Sequence, residues 1–259
     1  MINNHEIDYR IHGEEMQCVE IELDPQETVM AEAGSFMMMQ DGIQMQTIFG
    51  DGSQKDAGIM GKLLSAGKRL LTGESLFMTA YTNIGSGKKW AAFAAPYPGK
   101  IIPMDLNLLG GRITCQKDAF LCAAKGVSVG IEFQKKLGTG LFGGEGFIMQ
   151  KLEGDGLAFV HAGGHIIEKV LQPGELLKID TGCLVAFTKD VSYDIQFIGG
   201  IRNSLFGGEG LFFATLRGPG KVWIQSLPIS RLAGKLMEYG SRGSQKEQGS
   251  ILGGLFQGE

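Results

Sequence analysis

Apolar residues in this chain come in short runs closed off by Gly, Asp or Pro, a spacing that predicts strands rather than helices. Phe147-Ile148-Met149-Gln150, Gly156 to Val160 and Val191 to Ile195 are rich in β-branched and aromatic residues. Between such runs stand Gly85-Ser86-Gly87, Gly154-Asp155-Gly156 and Gly218-Pro219-Gly220, which read as hairpin turns because Gly adopts the left-handed backbone that tight turns need. Many short strands at regular spacing predict a sandwich or barrel. Two stretches read as helix instead: Gly61 to Leu71, with Leu63, Leu64, Leu70 and Leu71 apolar, and Ile229 to Tyr239. From Gly240 onward the composition is that of a flexible linker. We therefore expect one domain over 1–239 and a mobile tail over 240–259, in which Ile251-Leu252-Gly253-Gly254-Leu255-Phe256 is the only apolar cluster.

The same pattern recurs along the chain. Phe133 to Phe159 aligns without gaps on Phe197 to Trp223, and within it Leu141-Phe142-Gly143-Gly144-Glu145-Gly146 reappears unchanged as Leu205-Phe206-Gly207-Gly208-Glu209-Gly210. A third copy lies upstream, at Leu71-Thr72-Gly73-Glu74-Ser75-Leu76-Phe77. Each copy has Gly-Glu (Gly73-Glu74, Gly144-Glu145, Gly208-Glu209), an apolar run, Gly-x-Gly, and then an aromatic: Trp90, Phe159 or Trp223. The second half of the unit repeats more loosely. Pro173-Gly174-Glu175 through Asp180-Thr181-Gly182 resembles Pro25-Gln26-Glu27 through Glu32-Ala33-Gly34. The third copy thus runs out near Pro228, and its missing half stands at the N-terminus. These matches predict an all-β fold of three pseudo-symmetric repeats closed in a circle, barrel- or sandwich-like, with one or two short helices. The units are 71–132, 143–196, and 207–228 joined to 16–48. Closure would set the strand of Trp223 beside Cys18 to Leu23.

Composition narrows the function. Of 259 residues 41 are Gly, where average usage gives about 18, in keeping with frequent turns and with no Gly-X-Y period. A net charge of −4 argues against a nucleic-acid module, which normally carries a basic face, and against polybasic membrane docking. No apolar run reaches the ~18–20 residues of a membrane helix, and the start, Met1-Ile2-Asn3-Asn4-His5-Glu6, has no signal or transit character. Cytoplasmic placement is the expectation. Cys18, Cys115, Cys122 and Cys183 lack paired spacing and sit among apolar neighbours, so reduced thiols are expected rather than a disulfide framework.

Candidate chemistry is sparse. Gly138-Thr139-Gly140-Leu141-Phe142-Gly143 matches G-x-G-x-x-G, but a strand follows it where a dinucleotide site needs a helix. Glu74, Glu145 and Glu209 could meet at an axis and hold a hard cation; their equivalence in all three units favours capping or ion pairing instead. His161 and His165 have the spacing of a zinc pair, yet that spacing needs a helix, and two glycines lie between them. An enzyme would have to assemble its site from unmatched positions such as His161, His165 and Asp155. Phe36-Met37-Met38-Met39, with Met45, Met60 and Met78, reads as an adaptable interface in preference to a copper site. No catalytic residue, cofactor or resident metal is assigned. The expected function is a non-catalytic, self-associating scaffold whose partner is a protein or a membrane-associated complex, without nucleic acid. A small-ligand or metal-binding module with sites between the repeats is the alternative.

Ala31-Glu32-Ala33-Gly34-Ser35-Phe36, Leu71 to Phe77, Phe206 to Phe212 and Gln225-Ser226-Leu227-Pro228 together resemble the mitochondrial-biogenesis AIM family, over about Val19 to Leu236. The resemblance implies a duplicated β-fold like that of the tryptophan RNA-binding attenuation protein, and self-association. It supplies no catalytic residues, and the fold likeness does not carry RNA binding with it.

Overall fold

A computed structural model describes residues 6–49, 77–135, 147–198 and 211–239. Among them nineteen strands form four antiparallel sheets. One six-stranded sheet runs β5 (Ile43–Phe49), β6 (Phe77–Asn83), β3 (Thr28–Glu32), β10 (Phe120–Ala124), β13 (Leu157–Gly163) and β8 (Gly99–Asp105). A second runs β11 (Ser128–Lys135), β12 (Phe147–Glu153), β9 (Arg112–Gln116), β16 (Leu184–Thr188), β19 (Gly220–Gln225) and β14 (Ile166–Leu171). A three-stranded sheet contains β15 (Leu176–Asp180), β18 (Leu211–Arg217) and β17 (Ser192–Ile198). A four-stranded one contains β1 (Asp8–His12), β2 (Cys18–Leu23), β7 (Lys89–Ala94) and β4 (Phe36–Met39). Helix α1 occupies 229–239, as its sequence pattern predicts. The expected helix over Gly61–Leu71 and the 240–259 tail lie outside the described residues.

Burial follows position in the sheet. β10 and β16 sit third from one edge, and their sequences, Phe-Leu-Cys-Ala-Ala and Leu-Val-Ala-Phe-Thr, are buried along their whole length. A strand covered on both faces has no use for alternation. β2, next to an edge, alternates strictly between buried Val19, Ile21, Leu23 and more exposed residues between them. β14 lies at an edge and exposes Ile167 to Val170.

Strand order repeats. The succession β5-β6-β3-β10-β13-β8 corresponds strand for strand to β11-β12-β9-β16-β19-β14. It would recur a third time as β17-β18-β15-β4-β7-β2, but β15 and β4 do not pair, and the six strands are divided between two sheets. The sheets are therefore not closed into a barrel, in contrast to the expected circle. The strand of Trp223 pairs with β14 and β16, while Cys18–Leu23 pairs with β1 and β7. The expected adjacency of these two is thus not a pairing. Strand β8 follows β7 but pairs with β13, and β14 follows β13 but pairs with β19. β2 takes the corresponding place beside β7.

Local turn chemistry reproduces the match between the N-terminal segment and 172–175. In both turns a Pro is followed by a residue with positive φ, Gln26 at 72° and Gly174 at 79°. In both, a Glu reaches back: Asp24 N–H donates to Glu27 Oε2 and Gln172 N–H to Glu175 Oε2, each at 2.7 Å. These are type II turns, and Gln26 is the one non-glycine residue at positive φ among the described residues. Gln26→Gly is expected to stabilise the fold by about 0.5–1 kcal/mol, and Gly174→Gln to destabilise it by about 1 kcal/mol, both read by denaturant unfolding.

Candidate functional site

Three apolar cores lie within the sheets, and two of them receive an aromatic from the repeated position. Trp223 enters the core of Ile113, Phe120 and Val185; Phe159 enters that of Val19, Ile21 and Phe93. The third, around Phe147, Leu184 and Phe187, contains no Trp90. Trp90 is half-buried on β7. Cross-strand charge marks two of the three positions: Lys88 Nζ lies 2.6 Å from Glu22, and Lys221 Nζ 2.8 Å from Glu168. Trp223 Nε1 also donates to Glu168 at 3.1 Å. At the middle position Phe159 faces Pro103 instead.

Trp90 lies outside the third core because it stands two residues before the place that Phe159 and Trp223 hold on their strands. Phe120 and Leu184, the first residues of β10 and β16, face the residue that follows the repeated aromatic, Val160 and Ile224. Phe36, the first residue of β4, faces Phe93 and Met38 faces Ala92, while on the other edge of β7 Glu20, the counterpart of Glu168 by the Pro25/Pro173 match, also faces Ala92, so both neighbours set Ala92 in the place of Phe159 and Trp223. β4 packs inward as its counterparts do; Phe36 stacks on Tyr81 with ring centroids 5.4 Å apart. Its edge away from β7 has no strand neighbour among the described residues. Phe36, Met37 and Met38 are 39%, 51% and 40% exposed, whereas every residue of β10 and β16 is buried. On β15 Leu176 is 53% exposed, whereas the counterpart strands β3 and β9 are almost wholly buried. Unpaired edges with apolar side chains are templates for association.

A second cluster is polar. His161 on β13 is 2% exposed, and neither ring nitrogen has a hydrogen-bond partner. Its ring meets Tyr97 edge-on, centroids 4.5 Å apart, and the Tyr97 hydroxyl donates to the Asp118 carbonyl at 3.4 Å. Desolvation depresses the His161 pKa to about 4. Glu32, at the end of β3, is pushed up to about 7 by burial, with the Asp118 carboxylate adding to the rise and Lys117 opposing it. Burial also raises the Tyr97 hydroxyl, helped by Asp118 and Glu32. The counterpart of His161 on β19 is Gln225, which is fully satisfied: its Oε1 accepts from Gly163 N–H and its Nε2 donates to Gly182 O, both at 2.8 Å.

Of the residues singled out from sequence, Gly73, Glu74, Gly144, Glu145, Gly208 and Glu209 lie outside the described residues. Trp90, Phe159 and Trp223 stand on β7, β13 and β19, corresponding strands. His161 is buried while His165 is exposed in the turn beyond β13, and Asp155 is exposed in the turn before it. The three share no site. Among the described residues no group of three His, Cys, Asp or Glu is arranged to hold a metal, and no helix is long and apolar enough to cross a membrane. All four cysteines are free, and burial holds the Cys115 and Cys122 thiols well above their ordinary range. Sequence reasoning passed over Glu32 and Tyr97. The match of Glu32 to Asp180, whose side chain receives Gly182 N–H and Arg231, was the available signal for the first; Tyr97 has none.

Residues 9–227 match the family model described as mitochondrial biogenesis AIM24. The chain is 33% identical over 225 residues to an uncharacterized protein, M6_Spy0233, of Streptococcus pyogenes serotype M6, covering 85% of this chain and 86% of that one. It is also similar to the crystal structure of protein SPYM3_0169 from Streptococcus pyogenes, with a TM-score of 0.70 and 26% identity, covering 90% of this chain and all of the other.

The two shifted groups pull stability in opposite directions with pH. His161 must stay neutral when folded, so its contribution is intact above the unfolded value near 6.5 and is lost as pH falls toward 4. Glu32 folds best protonated, so its cost grows as pH rises from 4.5 to about 7. His161→Gln, which copies Gln225, is expected to flatten the acid limb of a thermal-denaturation pH profile and to add about 1 kcal/mol at neutral pH. Glu32→Gln is expected to raise the melting temperature at pH 7.5 and to leave it little changed at pH 4.5.

Proposed function

The chain belongs to the mitochondrial biogenesis AIM24 family, and from that premise we propose that it is a non-catalytic, self-associating scaffold. It acts in the cytoplasm by engaging a protein or membrane-associated complex. The observation that carries this reading is the β4 strand, paired with β7 on one edge only, with Phe36, Met37 and Met38 exposed where the counterpart strands are sheet interiors. Met side chains adapt to irregular partner surfaces, and a soluble chain that leaves such an edge bare invites association. Support also comes from the repeat itself, whose matched positions are glycines, apolar residues and turn formers. We further take the three successions of strands as units set around a pseudo-threefold axis, in the manner of the tryptophan RNA-binding attenuation protein. The recurring pairing order and the paired turns at Pro25 and Pro173 support that view.

Native mass spectrometry on protein purified without added metal, at rising concentration, is the test. A defined oligomer without additional mass is expected. A monomer at all concentrations would overturn the scaffold reading, and a mass bound to each chain that disappears on Glu74, Glu145 or Glu209 substitution would replace it with the small-ligand or metal-binding one.

A further inference from the structure

We propose that the chain's own segment Ile251–Phe256 folds back onto the bare last turn of α1, so that this surface is covered from within one molecule. The apolar positions of α1, Ile229, Leu232, Ala233, Leu236 and Met237, fall at i, i+3, i+4, i+7 and i+8 and form one stripe along the helix. At its start the helix is docked. Ile229, Leu232 and Ala233 are half-buried, and Arg231 holds this end to the body through Asp180 at 2.9 Å. The stripe then runs on past its cover: Leu236 and Met237 are 65% and 74% exposed, and Tyr239 is 72% exposed. The polar side of the same turn finds a partner within the helix, where Lys235 pairs with Glu238 at 3.0 Å. The surface left bare is apolar and continuous with one that is covered.

The sequence beyond the helix selects the occupant. Gly240 to Ser250 are Gly and polar residues only, so the first apolar side chains after Tyr239 are those of Ile251, Leu252, Leu255 and Phe256. A stretch of that length and composition spans about 18 Å on average, and the bare turn lies within roughly 5 Å, along the helix, of where the stretch begins. The tether therefore presents the segment to the stripe at an effective concentration on the order of millimolar, which a separate molecule does not match. Leu255-Phe256-Gln257-Gly258-Glu259 also repeats the Leu-Phe-x-Gly-Glu of Leu141 to Glu145 and Leu205 to Glu209, just ahead of β12 and β18. A pattern that elsewhere leads into a core strand thus recurs after α1, where apolar surface is left bare. The contact is internal to one chain, so it stands or falls apart from the self-association reading.

Hydrogen exchange on the full chain reads the cover. In Leu255→Asp/Phe256→Asp, protection of the α1 amides at 235–239 should fall several-fold while that of β10 and β16 is unchanged, and in the unaltered chain α1 protection should not depend on protein concentration. A disulfide trap reads the geometry. Positions 234 and 236 are nearly equidistant from the segment in sequence but about 160° apart around the helix, and a Cβ added at Gly234 meets nothing within 4 Å. Leu236→Cys with Gln257→Cys should therefore link within one chain several-fold faster than Gly234→Cys with Gln257→Cys. Unchanged α1 protection in the double substitution overturns the proposal. So does protection that rises with concentration, because a second copy is then the cover, and so do equal or reversed linking rates, which tethering alone would give.

Discussion

Most of this architecture depends on antiparallel pairing between a strand that ends one half-unit and a strand that begins another: β3 with β10, and β9 with β16. Each joins three strands to three others. It makes a continuous apolar strand into a sheet interior and gives the adjacent aromatic somewhere to go. Backbone amides and carbonyls in an apolar core need partners on both edges, so β10 and β16 can be uniformly apolar only because β3 and β9 are there. Where the junction is absent, between β15 and β4, the same strand type becomes a surface, the sheet ends, and Trp90 stays half-buried.

The polar cluster shows what repetition leaves behind when one copy diverges. Three corresponding positions hold Ala94, His161 and Gln225. Ala94 asks for nothing. Gln225 stitches two backbone segments with paired hydrogen bonds. His161 is enclosed by the same kind of packing but finds no partner for either nitrogen, a cost that a neutral imidazole can sustain and a protonated one cannot. Glu32 and Gln116 form a similar contrast at the end of β3 and β9: the amide tolerates burial uncharged, and the carboxyl is forced toward neutrality. Both departures change the pH response of the molecule while leaving strand order intact.

Much of the fold was legible because the signals are local. Gly-x-Gly turns, Pro followed by a positive-φ residue, and short apolar runs each act over a few residues, and the equivalence of Pro25 with Pro173 could be read before any strand was placed. Phe36 to Met39 could likewise be singled out from composition alone, and Phe36, Met37 and Met38 are exposed. The Glu32, Tyr97 and His161 neighbourhood could not: these residues belong to three separate segments, and only the folded sheets bring Tyr97 against His161. The closed circle was misjudged for a related reason. Sequence matching treats the three junctions as alike, whereas only two of them form among the described strands, and whether two distant edges join leaves no trace in the local hydrophobic pattern.

The chain by itself therefore determined the strand content, the turns, the C-terminal helix and the correspondence among the repeated segments, since these depend on propensity and on period-two or glycine-specific backbone preferences. Tertiary structure decided which strands are neighbours, which of the three repeated aromatics are enclosed, and where the sheet stops. Those outcomes depend on register between distant segments, and register is set by packing and edge hydrogen bonding across the whole sheet rather than by any residue's own preference.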